Sequence, residues 1–286
     1  MTIRKLVVPM SATEAGRQAL EAALAVGAAL SAHVEVVHVR PDPQDAVPLL
    51  GEGVSGAMVE ELMIHTEREA AARAATAKGN FEECRLRRGI AVADTPSSAG
   101  PSVRWVEIVG RENDVTILQG RLADLIGGGR SHSEADSAAA ATLNAALFES
   151  GRPVLVVPEF APDIGRRIAI AWNGSSEAAR SVSAALPFLK RAEAVLLFSA
   201  ATERTSADAV VGLMDFLAWH GIPAVPEALP EGGGSVGQRI LEAASAVKID
   251  LLVMGAYTHS RLRQLILGGV THDVLARARL PLLMAH

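Results

Sequence analysis

Thiol chemistry is almost absent from this chain, which carries one cysteine, Cys84, in 286 residues. An internal disulfide is therefore excluded, and Cys84 reads as a small helix residue rather than a nucleophile. The eight histidines show no HxxxH spacing and there is no CxxC pair, which excludes the usual structural zinc sites. Aromatic residues amount to 3%, a poor match to an antiparallel sandwich and a better one to helices covering both faces of a sheet. An excess of basic charge is missing too. With 27 Lys and Arg against 32 Asp and Glu, the net charge is −5 and the pI about 5.9, so nucleic acid and anionic membrane surfaces find no electrostatic footprint. Long apolar runs are also lacking. The run after Arg4 and Lys5 turns polar at Ser11, too short for a signal peptide, and no other approaches the 20 residues that span a bilayer. A cytoplasmic, reducing location is the expectation that follows.

What the chain does have is apolar residues, 49% of the total, and length enough for two ordinary domains with well-filled cores. It is also written twice. Arg4-Lys5-Leu6-Val7-Val8 answers Arg166-Arg167-Ile168-Ala169-Ile170, and Glu14-Ala15-Gly16-Arg17 answers Glu177-Ala178-Ala179-Arg180. Later, Arg88-Gly89-Ile90 answers His220-Gly221-Ile222, Ala123-Asp124-Leu125-Ile126 answers Ile249-Asp250-Leu251-Leu252, and Pro153 to Val157 answers Pro281 to Ala285. Glu14 and Glu177 lie 163 residues apart and Arg88 and His220 132, which leaves about 31 extra residues in the first half between them. Part of that excess is assigned to Pro41 to Ser55, rich in Pro, Gly and Asp, as a surface loop.

Within each half the period alternates. Val182, Ala185, Leu186 and Leu189 mark one face of a helix, as do Leu20, Ala23, Leu24 and Gly27. The short apolar runs Leu6 to Val8, Val34 to Val39, Ile168 to Ala171 and Val195 to Phe198 are what strands look like when both faces are buried. The expected architecture is two tandem flavodoxin-like domains, each a doubly wound, five-stranded, mainly parallel sheet. Their boundary is placed at the Pro158 to Gly165 link, giving domains 1–160 and 161–286.

In such sheets ligands sit at the carboxyl ends of the strands, where adjacent strands one and four flank the switch point. Asn173 and Gly255 are therefore expected on the two lips of one crevice in the second half, with capping of the next helix as the alternative role for Asn173. The loop after Met254 carries His259, Arg261 and Arg263, and His272 follows just inside the next helix. A helix starting at Gly268-Gly269 would aim backbone N–H groups at an anion there; an ordinary solvated loop is the other reading. Gly232-Gly233-Gly234-Ser235-Val236-Gly237 fits GxGxxG, but it follows the third strand and lacks the acidic residue a dinucleotide fingerprint requires. Asp124 and Asp250 open strand four at the edge opposite the crevice and read as turn or cap residues. His38, in an apolar strand, reads as a satisfied core histidine.

Met254-Gly255-x-x-Thr258, nine residues, then Gly268-Gly269-Val270-Thr271, followed by an apolar strand after Pro281, resembles the universal stress protein family. With the internal repeat, the whole chain resembles a tandem universal stress protein whose halves pair as an intramolecular pseudo-dimer. The resemblance implies ATP, or AMP or ADP, across strands one and four, with Mg accompanying the phosphates. Ala171, Trp172 and Asn173 would face ribose and base, Ala200 would bound the adenine, and Met254, Gly255 and Thr258 would pass under the phosphates. Gly268, Gly269, Val270 and Thr271 would supply phosphate contacts. Three positions depart from the family pattern: Thr258 replaces a glycine, Gly269 a hydroxyl residue and Asn173 the usual aspartate. The first half has Gly127-Gly128-Gly129-Arg130 but no later glycine pair, so it is expected to bind no nucleotide in the family manner.

The expected function is thus a cytoplasmic stress-response protein with a regulatory or protective nucleotide site in its second half. It would not be primarily an enzyme, because the loop offers positioning groups without an evident base. A nucleotide-free interaction scaffold is the second reading, motivated by Thr258 and Gly269. An α/β enzyme using His259 or His272 as proton carrier is the third. Protein partners are unknown from sequence, and further homodimerisation stays open.

Overall fold

Each apolar run becomes a strand and each stretch of helical period a helix. In the computed structural model the residues described are 2–42, 56–96, 100–130, 137–158, 164–199, 207–257 and 269–286. The first half comprises β1 (Lys5–Pro9), α1 (Glu14–Leu30), β2 (His33–Arg40), α2 (Gly56–Arg87), β3 (Ala91–Val92), β4 (Ser102–Val109), α3 (Glu112–Arg121), β5 (Leu125–Gly129), α4 (Ser137–Glu149) and β6 (Val154–Val157). The second comprises β7 (Arg167–Trp172), α5 (Ser176–Leu189), β8 (Ala194–Ser199), α6 (Ala207–Trp219), β9 (Val225–Glu227), α7 (Val236–Ala246), β10 (Leu251–Gly255), α8 (Val270–Arg277) and β11 (Leu282–Ala285).

All eleven strands join in one sheet, in the order β3-β4-β2-β1-β5-β6-β11-β10-β7-β8-β9. Both halves are doubly wound as expected, and the second is five-stranded in the order 3-2-1-4-5, not the 2-1-3-4-5 of flavodoxin itself. That order sets the first and fourth strands side by side, with Ala171 opposite Met254. The first half repeats it and adds a sixth strand, the two-residue β3, outside β4. Every pairing is parallel except the one between the halves, where β6 runs antiparallel to β11 with Leu155 opposite Leu283. The expected link between residues 160 and 161 lies outside the described residues.

Two apolar layers cross from one half to the other. Leu6, Val34, Phe81, Ile168, Leu197 and Leu217 belong to the layer against α1, α2, α5 and α6. Ile126, Leu147, Val156, Met254, Val274 and Met284 belong to the layer under α4, α7 and α8. The pseudo-dimer is therefore held by shared core as well as by strand pairing. The extra length of the first half shows in α2, which has 32 residues where its counterpart α6 has 13. Residues 43–55 of the expected Pro41 to Ser55 loop lie outside the described residues. Cys84 is buried on α2, and its thiol is pushed up to about 12 by burial and by its hydrogen bond with Glu21, which makes it inert at neutral pH.

Asp124 and Asp250 turn out to be paired clamps. Asp124 Oδ2 accepts from the backbone N–H groups of Arg4 (2.8 Å) and Lys5 (3.0 Å). Asp250 accepts from those of Gly165 (2.8 Å), Arg166 (3.1 Å) and Arg167 (3.0 Å). Each carboxylate thus ties the start of strand four to the start of strand one in its own half, at the sheet edge away from the crevice.

One buried charge needs separate support. Glu35, 2% exposed on β2, is paired with Lys5 of β1 at 2.9 Å and with Arg104 of β4. Burial pushes its carboxyl up, but the bonds from Lys5 and Arg104 outweigh burial and hold it below the ordinary value. A carboxyl lowered in the folded state stabilises above its unfolded value and loses that contribution as pH falls through the folded value. Glu35→Gln is expected to cost about 2 kcal/mol at pH 7 by leaving two cations unmatched, with the penalty shrinking below about pH 4. Melting temperatures of both proteins between pH 3 and 7 check this; parallel curves would refute it.

Candidate functional site

The expected crevice of the second half lies where β7 and β10 end side by side. Trp172 closes β7, and the chain turns through Asn173 and Gly174, whose φ is +72°, a conformation that favours glycine. Asn173 Oδ1 accepts from the Ser175 N–H at 3.1 Å, closing the turn. Ser175, not Asn173, caps α5, its hydroxyl accepting from the Ala178 N–H at 3.1 Å. Asn173 is thereby left on the exposed lip. The opposite lip is Gly255, where an added Cβ would lie 2.6 Å from the Ala178 nitrogen. Glycine is required here because β10 ends directly against the first turn of α5.

Behind the lips the crevice is braced by Ser181, fully buried on α5, whose hydroxyl donates to Met254 O (2.8 Å) or Glu177 O (2.9 Å) and accepts from the Ala285 N–H (2.9 Å). Met254 itself is core, 4% exposed. Ala171 packs beneath α7 and α8, whereas Trp172 packs against the opposite layer. The Trp172 indole nitrogen is buried and has no hydrogen-bond partner among the described residues. A buried donor without a partner costs free energy that a ligand acceptor would recover.

Helix α8 begins where the glycine pair placed it. Gly269 is its N-cap and contributes no side-chain cap bond, so among the described residues no side chain caps the first-turn N–H groups, those of Val270 and Thr271 foremost. By contrast, Ser175 caps α5 and a Ser235–Gln238 capping box closes α7. Among these three helices the N-terminus open to an outside anion is that of α8. The Thr271 hydroxyl is otherwise engaged: it is 6% exposed and accepts from the Tyr257 N–H at 3.1 Å. Its role here is to fasten α8 to the end of β10, with Tyr257 held at φ +55°. Ala200, Thr258 and Gly268 lie outside the described residues, as do His259, Arg261 and Arg263; His272 is exposed on α8.

The corresponding place in the first half is built differently. Gly129 ends β5 so close to α1 that an added Cβ would lie 2.0 Å from Ala15 O, and one on Gly128 would lie 2.9 Å from Leu143 of α4. The glycine run therefore serves packing between β5, α1 and α4. A cleft of about 450 Å³ remains at the ends of β1, β2 and β4, lined in part by Met10, His38, Arg73 and Asn113. His38 is 5% exposed, its Nδ1 bonded to Met10 O at 2.8 Å and its ring stacked on Trp105.

The glycine run before α7 is a turn and a cap. Gly232 and Gly234 have φ of +144° and +127°, and Gly237 lets α7 approach Asp273 of α8. Gly233, Ser235 and Gly237 also have the spacing of a hydrolase nucleophile elbow. Ser235, however, lies well past the end of β9, and its hydroxyl accepts from the Gln238 N–H at 3.2 Å as the helix cap. Among the described residues no cluster of three or more His, Cys, Asp or Glu could hold a metal ion, and no helix is long and apolar enough to cross a membrane.

Three residues of the first half that the sequence did not offer as site residues also shape this wall. Arg130, just past β5, donates to Leu275 O and Ala278 O at the end of α8. Phe148 of α4 packs on Tyr257 at 4.7 Å and on the His286 ring at 4.9 Å between centroids. Asn144 Oδ1 lies 3.5 Å from the Tyr257 hydroxyl.

Comparison with known proteins agrees with this architecture. Residues 220–286 match the Universal stress protein family, a stretch that contains β10, α8 and β11. The chain is similar in structure to a universal stress protein from Archaeoglobus fulgidus DSM 4304, with a TM-score of 0.69 and 15% identity over 99% of this chain and 96% of that one. It is also similar to a functionally unknown protein from Pseudomonas aeruginosa PAO1, with a TM-score of 0.57 and 17% identity over 98% and 92%. At such identities the likeness speaks for the fold. No curated protein matches the chain in sequence. The chain thus has the fold of these proteins, and its residues 220–286 match the family.

Proposed function

We propose that the second half binds an adenine nucleotide between the ends of β7 and β10, and that the protein acts in a stress response as a regulatory or protective binding module rather than as a catalyst. The single observation that carries this reading is the N-terminus of α8, which Gly269 leaves without a side-chain cap and which Thr271 ties to Tyr257, two residues past Gly255. The phosphates would take the N–H groups of Val270 and Thr271, Gly269 would give them close approach, and Asn173 and Trp172 would meet ribose and base. Magnesium would come with the phosphates and be held chiefly by them, since no carboxylate cluster is offered among the described residues. A cytoplasmic setting belongs to the same proposal.

One observation favours the scaffold reading instead: Thr271, which would replace the family's hydroxyl residue at Gly269, is buried, with its hydroxyl oxygen turned to the Tyr257 N–H. Titration calorimetry decides between the two. The expected result is saturable heat with one ATP per chain, and a roughly tenfold weaker affinity for Trp172→Phe, which removes one buried donor. Absence of heat at millimolar ATP, with no displacement of a fluorescent ATP analogue, would leave the scaffold reading in its place.

A further inference from the structure

We infer that the first half builds the second half's site in cis, with Arg130 as the positioning residue. This rests on the nucleotide reading for its functional meaning, but its structural content stands on separate observations. Helix α8 has eight residues, too few to persist by intrinsic propensity. Its N-terminus lacks a side-chain cap, and its last carbonyls, Leu275 O and Ala278 O, are met by both terminal nitrogens of Arg130 from the other half. A guanidinium there satisfies orphan acceptors and faces the negative end of the helix dipole. The wall before α8 depends on the first half as well. Tyr257, whose N–H ties to Thr271, is set by Phe148 and Asn144 of α4.

The arrangement is not reciprocal, and this separates it from ordinary interface packing. In the second half the position matching Arg130, one past the strand-four glycine, is Ala256, which cannot return the contact. The end of α4 is instead served from within its own half, by Arg121 on Glu149 O at 3.2 Å. One half thus supplies the brace and the other carries the open helix.

The test uses the full chain and two readouts. Amide hydrogen exchange over residues 270–277 is measured without ligand, and ATP affinity by calorimetry, for wild type, Arg130→Ala and Arg130→Lys. Arg152→Ala is the control, because Arg152 bonds Arg121 O at 2.9 Å at the end of α3, away from the site. Arg130→Ala is expected to speed exchange in α8 about tenfold and weaken ATP about tenfold, as loss of charge-assisted bonds to two carbonyls implies. Arg130→Lys should recover part of both. Arg152→Ala should lower the melting temperature while leaving α8 exchange and ATP affinity as in wild type. Unchanged α8 exchange in Arg130→Ala overturns the inference, as does an equal effect from Arg152→Ala. Faster α8 exchange in a protein that binds no ATP upholds the brace and refutes the nucleotide reading alone.

Discussion

Asp250→Ala is expected to cost about 4 kcal/mol and to lower the melting temperature by roughly 10 °C, given that a carboxylate accepting several backbone N–H groups forms charge-assisted bonds. Three amides at the entry to β7 share that one carboxylate, and alanine would leave them without it where β7 meets β10. Asp124→Ala removes the same device from the first half, but with two amides, so its effect should be the smaller. Asp250→Asn keeps one acceptor oxygen and should fall between wild type and alanine. Differential scanning calorimetry of the three variants checks the ranking; equal losses for Asp250→Ala and Asp124→Ala would show that the number of amides does not set the cost.

Adding one methyl group at the end of either fourth strand should be nearly as damaging. At Gly129 the new Cβ would meet backbone, Ala15 O at 2.0 Å, and at Gly255 it would meet the Ala178 nitrogen at 2.6 Å. Side chains can swing aside; a helix backbone has to translate as a unit. Gly129→Ala is expected to cost about 3 kcal/mol, at the upper end for overpacking, and Gly255→Ala somewhat less. Their functional effects should differ in the opposite sense. Gly255→Ala pushes α5 away from β10 and should abolish ATP heat in calorimetry, whereas Gly129→Ala, at the residue next to Arg130, should weaken ATP only as far as it speeds exchange in α8. Loss of ATP binding in Gly129→Ala with native α8 exchange would place the site in the wrong half.

Much of the architecture was written in the chain because the signals were local and came twice. Continuous runs such as Leu251 to Met254, bounded by turn residues, read as strands buried on both faces, and their order put the expected crevice between Asn173 and Gly255. The start of α8 followed from Gly269. What escaped notice depended on distance or on backbone. Arg130 acts on carbonyls 145 and 148 residues away, and a carbonyl has no letter in the sequence. Asn173 and Ser175 are both good caps; the extended conformation of Ser175, φ −84° and ψ 162°, gave it the role. The glycines at 129 and 255 are legible as glycines, but the helix turn each one admits comes from tertiary packing. The length of α2 was hidden by its weak apolar stripe, since few of its 32 residues are buried.

The antiparallel seam between β6 and β11 also limits how copies of this protein can assemble. A single unit of this fold would have its fifth strand free to recruit a neighbour, and here that bonding capacity is used up inside one polypeptide. The rims left over are β3, two residues long, and β9, three residues long with Pro226 in its middle, where a proline supplies no N–H for a new ladder. With the β6 and β11 edges paired to each other and the outer rims short, the described sheet leaves little edge along which a further copy could extend it.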